Sequence, residues 1–260
     1  MNCYQKNLEA ELASYKRLAI AFSGGCDSTF LAEAAKRVLG KDNVLLLLAD
    51  SILLPRKELA RAKSLAEHCG LELEILQLAP LADPQIRAND QLRCYYCKKR
   101  IFSALFARTR ELGFDLLADG ANLSDQGDYR PGAKAANELG VVHPLSKLPK
   151  SAIRELSKEW GLATWNLPAS ACLASRIPTG TPLDDKSLSM VESGEKAIAE
   201  LGFSGFRVRK VGETSARLEL QIEELPKAKQ QFKLIETGLK MCGFKSVGLA
   251  LYHTGSMNAQ

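Results

Sequence analysis

Three apolar runs without alternation do most to limit what this chain can fold into: RLAIAF at 17–22, NVLLLLAD at 43–50 and FDLLADG at 114–120. A strand with one wet face alternates apolar and polar residues, so unbroken runs predict parallel strands buried on both faces. LELEILQL at 71–78 does alternate and fits a strand nearer a sheet edge. Helical patterns lie between the runs at 28–39, 55–69 and 95–112, with Gly40, Gly70 and Gly113 just past their ends. The order βαβαβαβ predicts an α/β fold with an open, doubly wound, Rossmann-like parallel sheet.

A further helix is expected near 149–160, followed by LATWNLPASACLASRIPTGTPLD at 162–184, too rich in Pro, Ser and Thr for regular structure. The domain junction is expected near its end, giving domains 1–182 and 183–260. The second reads αββαβ: helix 185–201, strands 206–212 and 216–222 joined by Gly212-Glu213-Thr214, helix 224–242 and strand 246–252. So small a unit has little core of its own, which predicts packing on the first domain or on a second copy, hence a homo-oligomer.

Composition narrows the function. No apolar run approaches the roughly 18 to 20 residues of a membrane span, and MNCYQKNLEAEL lacks the apolar centre of a signal peptide, so the expectation is a cytoplasmic protein with no membrane partner. A net charge of +5 suits anionic ligands, yet the basic residues are scattered, which disfavours nucleic acid. Seven cysteines, an odd number, argue against a disulfide framework and for thiols as metal ligands or reagents.

Ligands of such sheets bind beyond the carboxyl ends of the strands. The segments there are SGGCDS (23–28), DSILLP (50–55) and GANLSDQGDYRPG (120–132). In the first, Gly24 and Gly25 let backbone N–H groups approach phosphate oxygens at a helix start, and Ser23 and Ser28 add hydroxyls. A Walker loop has a lysine; this one has Asp27, which suits Mg²⁺ bound to pyrophosphate.

S-G-G-x-D-S after a first strand resembles the PP-loop of the adenine nucleotide alpha hydrolase superfamily, which splits ATP between its α and β phosphates. ADSILLPRKELARAKSLAE, RCYYCKKR, DGANLSDQGDYRPG, PASACLASRIPTG and FRVRKVGETSARLEL follow in the order, and at roughly the spacings, of the LarE family, covering nearly the whole chain. That resemblance implies an ATP-dependent sulfur transferase of nickel-pincer nucleotide cofactor biosynthesis. It adenylates a carboxylate of pyridinium-3,5-biscarboxylic acid mononucleotide and converts it to a thiocarboxylate.

The resemblance implies an ATP site of Ser23, Gly24, Gly25, Asp27, Ser28, Ser51, Arg56, Gly120 and Asp125. Arg130, Arg176, Arg207, Arg209 and Glu195 are implied for the substrate, and Asp27, Arg176 and Cys172 for catalysis. In FRVRKV, Arg207 and Arg209 share a strand face and suit one phosphate.

Cys94 and Cys97 stand in C-x-x-C spacing at a helix start, where the dipole favours the thiolate, and Cys172 lies far away in sequence. Three thiolates can hold three irons of a [4Fe-4S] cluster and leave the fourth open to sulfide or another sulfur donor. The family's single-cysteine variant instead sacrifices the sulfur of the residue matching Cys172. A tetrahedral zinc would need a fourth ligand, with His143 the candidate. Cys26 reads as a packing residue, and Cys3, Cys69 and Cys242, on helix patterns beside apolar residues, read as core or surface. Rival readings are a tRNA-thiolating enzyme, an amide-forming synthetase fed by ammonia, and a non-catalytic nucleotide sensor.

Overall fold

The computed structural model describes residues 3–125 and 131–252. In chain order the elements begin α1 (Cys3–Ala13), β1 (Leu18–Ala21), α2 (Cys26–Leu39), β2 (Val44–Asp50), α3 (Arg56–Cys69), β3 (Glu72–Gln77), α4 (Pro84–Arg87), α5 (Arg93–Glu111) and β4 (Leu116–Ala118). They continue α6 (Pro131–Glu138), α7 (Lys150–Glu159), α8 (Asp185–Glu200), β5 (Arg207–Val211), β6 (Ser215–Leu220), α9 (Leu225–Gln230), α10 (Phe232–Met241) and β7 (Ser246–Leu251). Two compact units emerge: residues 1–80 with 94–170, and residues 81–93 with 171–260.

In the first unit a parallel sheet has the order β3-β2-β1-β4, with Ile20 beside Leu46 and Ala118. Alternate residues of each central strand bury against different helices. Leu18, Ile20, Leu46 and Leu48 join Phe30, Leu31, Ala62 and Ile153 on one face. Ala19, Leu45, Leu47 and Leu117 join Phe102, Leu105 and Ala136 on the other. Burial of a Leu or Ile side chain contributes about 1.5–3 kcal/mol, so both faces must be filled, and that is why these runs do not alternate. The alternating run became β3, an edge strand, where Arg108 holds the Glu74 carboxylate at 2.5 Å; charge on an edge discourages pairing with another chain.

α2 starts at Gly25 without a side-chain cap, and α3 ends at Gly70, whose φ of 64° supplies the left-handed turn that closes the helix. Among the described residues no helix is long and apolar enough to cross a membrane.

The second unit has its own sheet, β5-β6-β7: an antiparallel hairpin turning at Gly212, then β7 parallel to β6. α8 is capped by Asp184, which accepts from Ser187 N at 2.8 Å and Ser187 Oγ at 2.6 Å. Gly194 lets α8 sit close, because a Cβ there would meet Leu239 at 3.0 Å and Val208 at 3.3 Å. The single helix expected over 224–242 is two, separated at Gln231, whose ψ of 14° leaves the helical region.

Residues 81–93 belong to this unit for a polar reason. Buried Asn89 donates Nδ2 to the carbonyls of Pro178 and Thr181, each at 2.9 Å, while its Oδ1 accepts from Arg93. Gly180 N and Leu183 N donate to the carbonyls of Asn89 and Arg87. A single junction at 182/183 was the sequence expectation; the observed division falls after Ser170 and adds this earlier segment.

Candidate active site

β1 lies between β2 and β4, so the strand order reverses beside it, and the loop 23–28 leaves its carboxyl end at that switch point. Gly24 has φ 66°, and a Cβ there would stand 2.8 Å from the Ala62 Cα on α3. Gly120, at the end of β4, is tightly placed, since its Cβ would stand 3.0 Å from both Asp27 Cβ and Ser28 N. The approach at Gly24 leaves room for glycine alone. Ser23 and Ser28 face each other with hydroxyls 3.2 Å apart, and Gly25 N donates to Ser23 Oγ at 3.4 Å. Backbone donors, hydroxyls and a helix start thus converge, a donor set that fits polyphosphate.

Asp27 is not alone at this rim. Lys150 donates Nζ to both its carboxylate oxygens, at 2.6 and 2.5 Å, across 123 positions of sequence. Lys150 opens α7 just after Pro149, and its backbone N donates to Ser124 Oγ. Sequence reasoning passed over it. The only local signal is a lysine at a helix start, where the dipole does not favour a cation. The carboxylate fits Mg²⁺, and the lysine fits a phosphate as well as it fits Asp27.

Other expected ATP residues stand at neighbouring strand ends with structural tasks. Arg56 clasps buried Asp50 at 3.1 and 2.6 Å and donates to the carbonyls of Ser51 and Leu54, bracing the loop after β2. Burial pushes the Asp50 carboxyl up, but the hydrogen bonds of Arg56 and Gln77 outweigh it and hold the group below the usual carboxylate range. Ser51 Oγ accepts from Leu53 N, and Asp125 accepts from Asn122 N at 3.0 Å. His143, the candidate zinc ligand, instead bridges Asp119 and Asn137, 2.7 Å from each. Its pKa is raised by the Asp119 hydrogen bond, against burial.

Cys94 and Cys97 are the second and fifth residues of α5, the former exposed and the latter half-buried. Cys26 is buried, and burial pushes its thiol up. Cys69 is also buried, Cys242 is half-buried and Cys3 is exposed.

The second unit gathers Cys172, Arg176, Glu195, Arg207 and Arg209. Cys172 is exposed, yet its carbonyl accepts from Ser175 N at 3.0 Å, Ser175 Oγ at 2.8 Å and Arg176 Nη1 at 3.2 Å. Arg176 also holds the Ala171 carbonyl and pairs with Glu195. Glu195 reaches on to Val208 N on β5. Arg209 is claimed by Glu219 at 2.6 Å and the Ser175 carbonyl at 2.7 Å. Arg207, on the same strand face, donates to the Phe206 carbonyl and lies 5.6 Å from the Tyr252 ring centre. Burial lowers its pKa, with the charges of Arg176 and Arg209 acting in the same direction. That field is what an anion would relieve. Ser175 and Glu219 were not anticipated, and Arg130 lies outside the described residues.

For a cluster, the donor chemistry fits: three thiols, each exposed or half-exposed. Among the described residues, however, no three His, Cys, Asp or Glu side chains are grouped so as to hold a metal ion.

A family model for NAD synthase matches residues 4–110. The pyridinium-3,5-bisthiocarboxylic acid mononucleotide synthase of Lactiplantibacillus plantarum is 36% identical over 96% of this chain and 92% of its own length. An uncharacterised protein of a Synechocystis strain is 36% identical over 97% and 96%. A tRNA-specific 2-thiouridylase of Brucella suis is 27% identical, over 56% of this chain and 46% of its own. Near full-length identity to the first, joined to the glycine-lined loop at the switch point, settles the kinship: the chain belongs to the LarE family and is an ATP-using enzyme of the PP-loop type.

Proposed function

We propose that this enzyme adenylates a carboxylate of pyridinium-3,5-biscarboxylic acid mononucleotide and converts it to a thiocarboxylate. The observation that carries the reading is Cys172, an exposed thiol whose carbonyl is held by Arg176, itself fixed in a buried ion pair with Glu195. A merely structural cysteine needs no such mounting. The name of the Lactiplantibacillus relative supports the substrate class.

A carboxylate is a poor acyl electrophile. Its oxygen attacks the α phosphorus of ATP, the Pα–O bond to pyrophosphate breaks, and the product is an acyl-adenylate. A sulfur nucleophile then attacks the acyl carbon, AMP leaves, and the thiocarboxylate remains. The N–H groups and hydroxyls of residues 23–28 hold the leaving pyrophosphate, with Lys150 released from Asp27 to share its charge. Asp27 would hold Mg²⁺, which supplies Lewis-acid stabilisation of that charge. Arg207 takes the phosphate of the mononucleotide, while Arg176 and Glu195 keep the Cys172 loop in place.

Sulfide or another sulfur donor supplies the atom. Cys94, Cys97 and Cys172 would hold a [4Fe-4S] cluster, which offers one iron not taken by protein. A second reading makes Cys172, an exposed thiol, the sacrificial donor. The small second core supports a homo-oligomer, and the absence of a long apolar run supports a cytoplasmic setting.

The test is anaerobic purification of the wild type and of Cys94→Ala, Cys97→Ala and Cys172→Ala, with iron content and intact mass before and after turnover. The cluster reading expects all three variants to lose iron together. The sacrificial reading expects an iron-free active wild type whose mass falls by the elements of hydrogen sulfide, with activity lost only in Cys172→Ala. Release of pyrophosphate that does not depend on the mononucleotide would overturn both.

A further inference from the structure

A phosphate loop works only if its N–H groups point inward, and something must turn them that way. The peptide between Gly24 and Gly25 is planar and trans, so its carbonyl and its N–H point in opposite directions. The carbonyl of Gly24 accepts from Arg61 Nε at 3.1 Å, outside the loop. The N–H of Gly25 faces the other way, toward Ser23 Oγ, among the hydroxyls. Arg61 does not swing free: its Nη1 and Nη2 are both held by the carboxylate of Glu58, one turn earlier on α3 and itself buried. On the same helix, Ala62 presses directly on Gly24, so the α3 backbone sets the distance while Arg61 sets the rotation.

We infer that Arg61 is a positioning residue for pyrophosphate. It acts through the Gly24 carbonyl, not by touching the phosphate, because Glu58 and Gly24 already occupy its guanidinium. This inference rests on the nucleotide reading of the loop. It adds that the affinity of the site for the β and γ phosphates is set from α3, a helix outside the loop motif.

The prediction separates two ends of ATP. In Arg61→Gln the peptide loses its outer anchor and Gly25 N–H is no longer aimed. Inorganic pyrophosphate and ATP should each bind about tenfold more weakly, the scale of one hydrogen bond to a charged group. AMP lacks the β and γ phosphates and should bind as it does to the wild type. Arg61→Lys replaces the guanidinium fork by a single ammonium nitrogen, which cannot reproduce the Nε contact to Gly24 together with both contacts to Glu58, so its pyrophosphate affinity should fall between the two.

Calorimetric titration of wild type, Arg61→Gln and Arg61→Lys with magnesium pyrophosphate, ATP and AMP gives all of these, with circular dichroism to verify folding. Equal weakening of AMP and pyrophosphate, or unchanged pyrophosphate affinity in either folded variant, overturns the inference alone. A wild type that binds neither ATP nor pyrophosphate overturns the nucleotide reading and the inference with it.

Discussion

Arg176 donates Nε to one carboxylate oxygen of Glu195 at 2.8 Å and Nη2 to the other at 3.2 Å, with both side chains buried. A guanidinium satisfied in this way has two donors less for any ligand. Its work is to hold the loop carrying Cys172. Breaking one half of a buried pair strands the other charge, at a cost of about 3–5 kcal/mol. Glu195→Gln should lower the urea midpoint of unfolding accordingly and slow sulfur transfer through the loosened Cys172 loop. A variant as stable as wild type would show that the pair is not structural.

The Asp27–Lys150 pair is partly exposed, so it adds at most about 1 kcal/mol to stability. Its value lies in chemistry. Asp27→Ala and Lys150→Met should each fold normally and lose about 100-fold in pyrophosphate release, ~2.7 kcal/mol of barrier. Wild-type rates in Asp27→Ala would remove the PP-loop mechanism.

Arg207 and Arg209 share a face but not a fate. Arg207→Ala should leave stability within about 0.5 kcal/mol while raising the mononucleotide KM, with the ATP KM unchanged. Arg209→Ala should also destabilise, since it leaves buried Glu219 with Arg217 as its one remaining ion-pair partner among the described residues. Parallel loss of ATP and mononucleotide binding in Arg207→Ala would argue against a separate phosphate site.

His143 makes stability depend on pH. Its folded pKa is raised by Asp119, so its contribution is fully present below the unfolded value of about 6.5 and fades as pH rises through the folded value. His143→Gln should therefore differ from wild type more at pH 6 than at pH 9. Urea titrations at both pH values check this; a constant difference would mean that the imidazole does not titrate with folding.

How much of this was legible in the sequence depends on the range of the interaction. β1, the glycine loop and α2 follow from adjacent residues, and so does the edge position of β3. Lys150 beside Asp27, Glu219 beside Arg209 and Asn89 under residues 178–181 are polar pairings across the fold, with no periodicity to announce them. Arg56 and Arg176 show the same limit from another side. An arginine in a motif loop was read as a ligand for anions, and both do clasp carboxylates, but those of Asp50 and Glu195. Local sequence reveals the appetite of such a side chain and not who satisfies it.

α2 begins at Gly25 with no side-chain cap, where Ser, Asp or Asn would ordinarily close the first turn for about 1 kcal/mol. The first turn therefore starts without a side chain of its N-cap residue to close it, and whatever anion binds there finishes the helix as well as filling the site. Folding and ligand binding become one linked equilibrium: at a hundred times its Kd, such an anion stabilises the fold by about 2.7 kcal/mol. The melting temperature of this protein then becomes a reading of the buffer it is dissolved in, higher in pyrophosphate than in chloride at equal ionic strength.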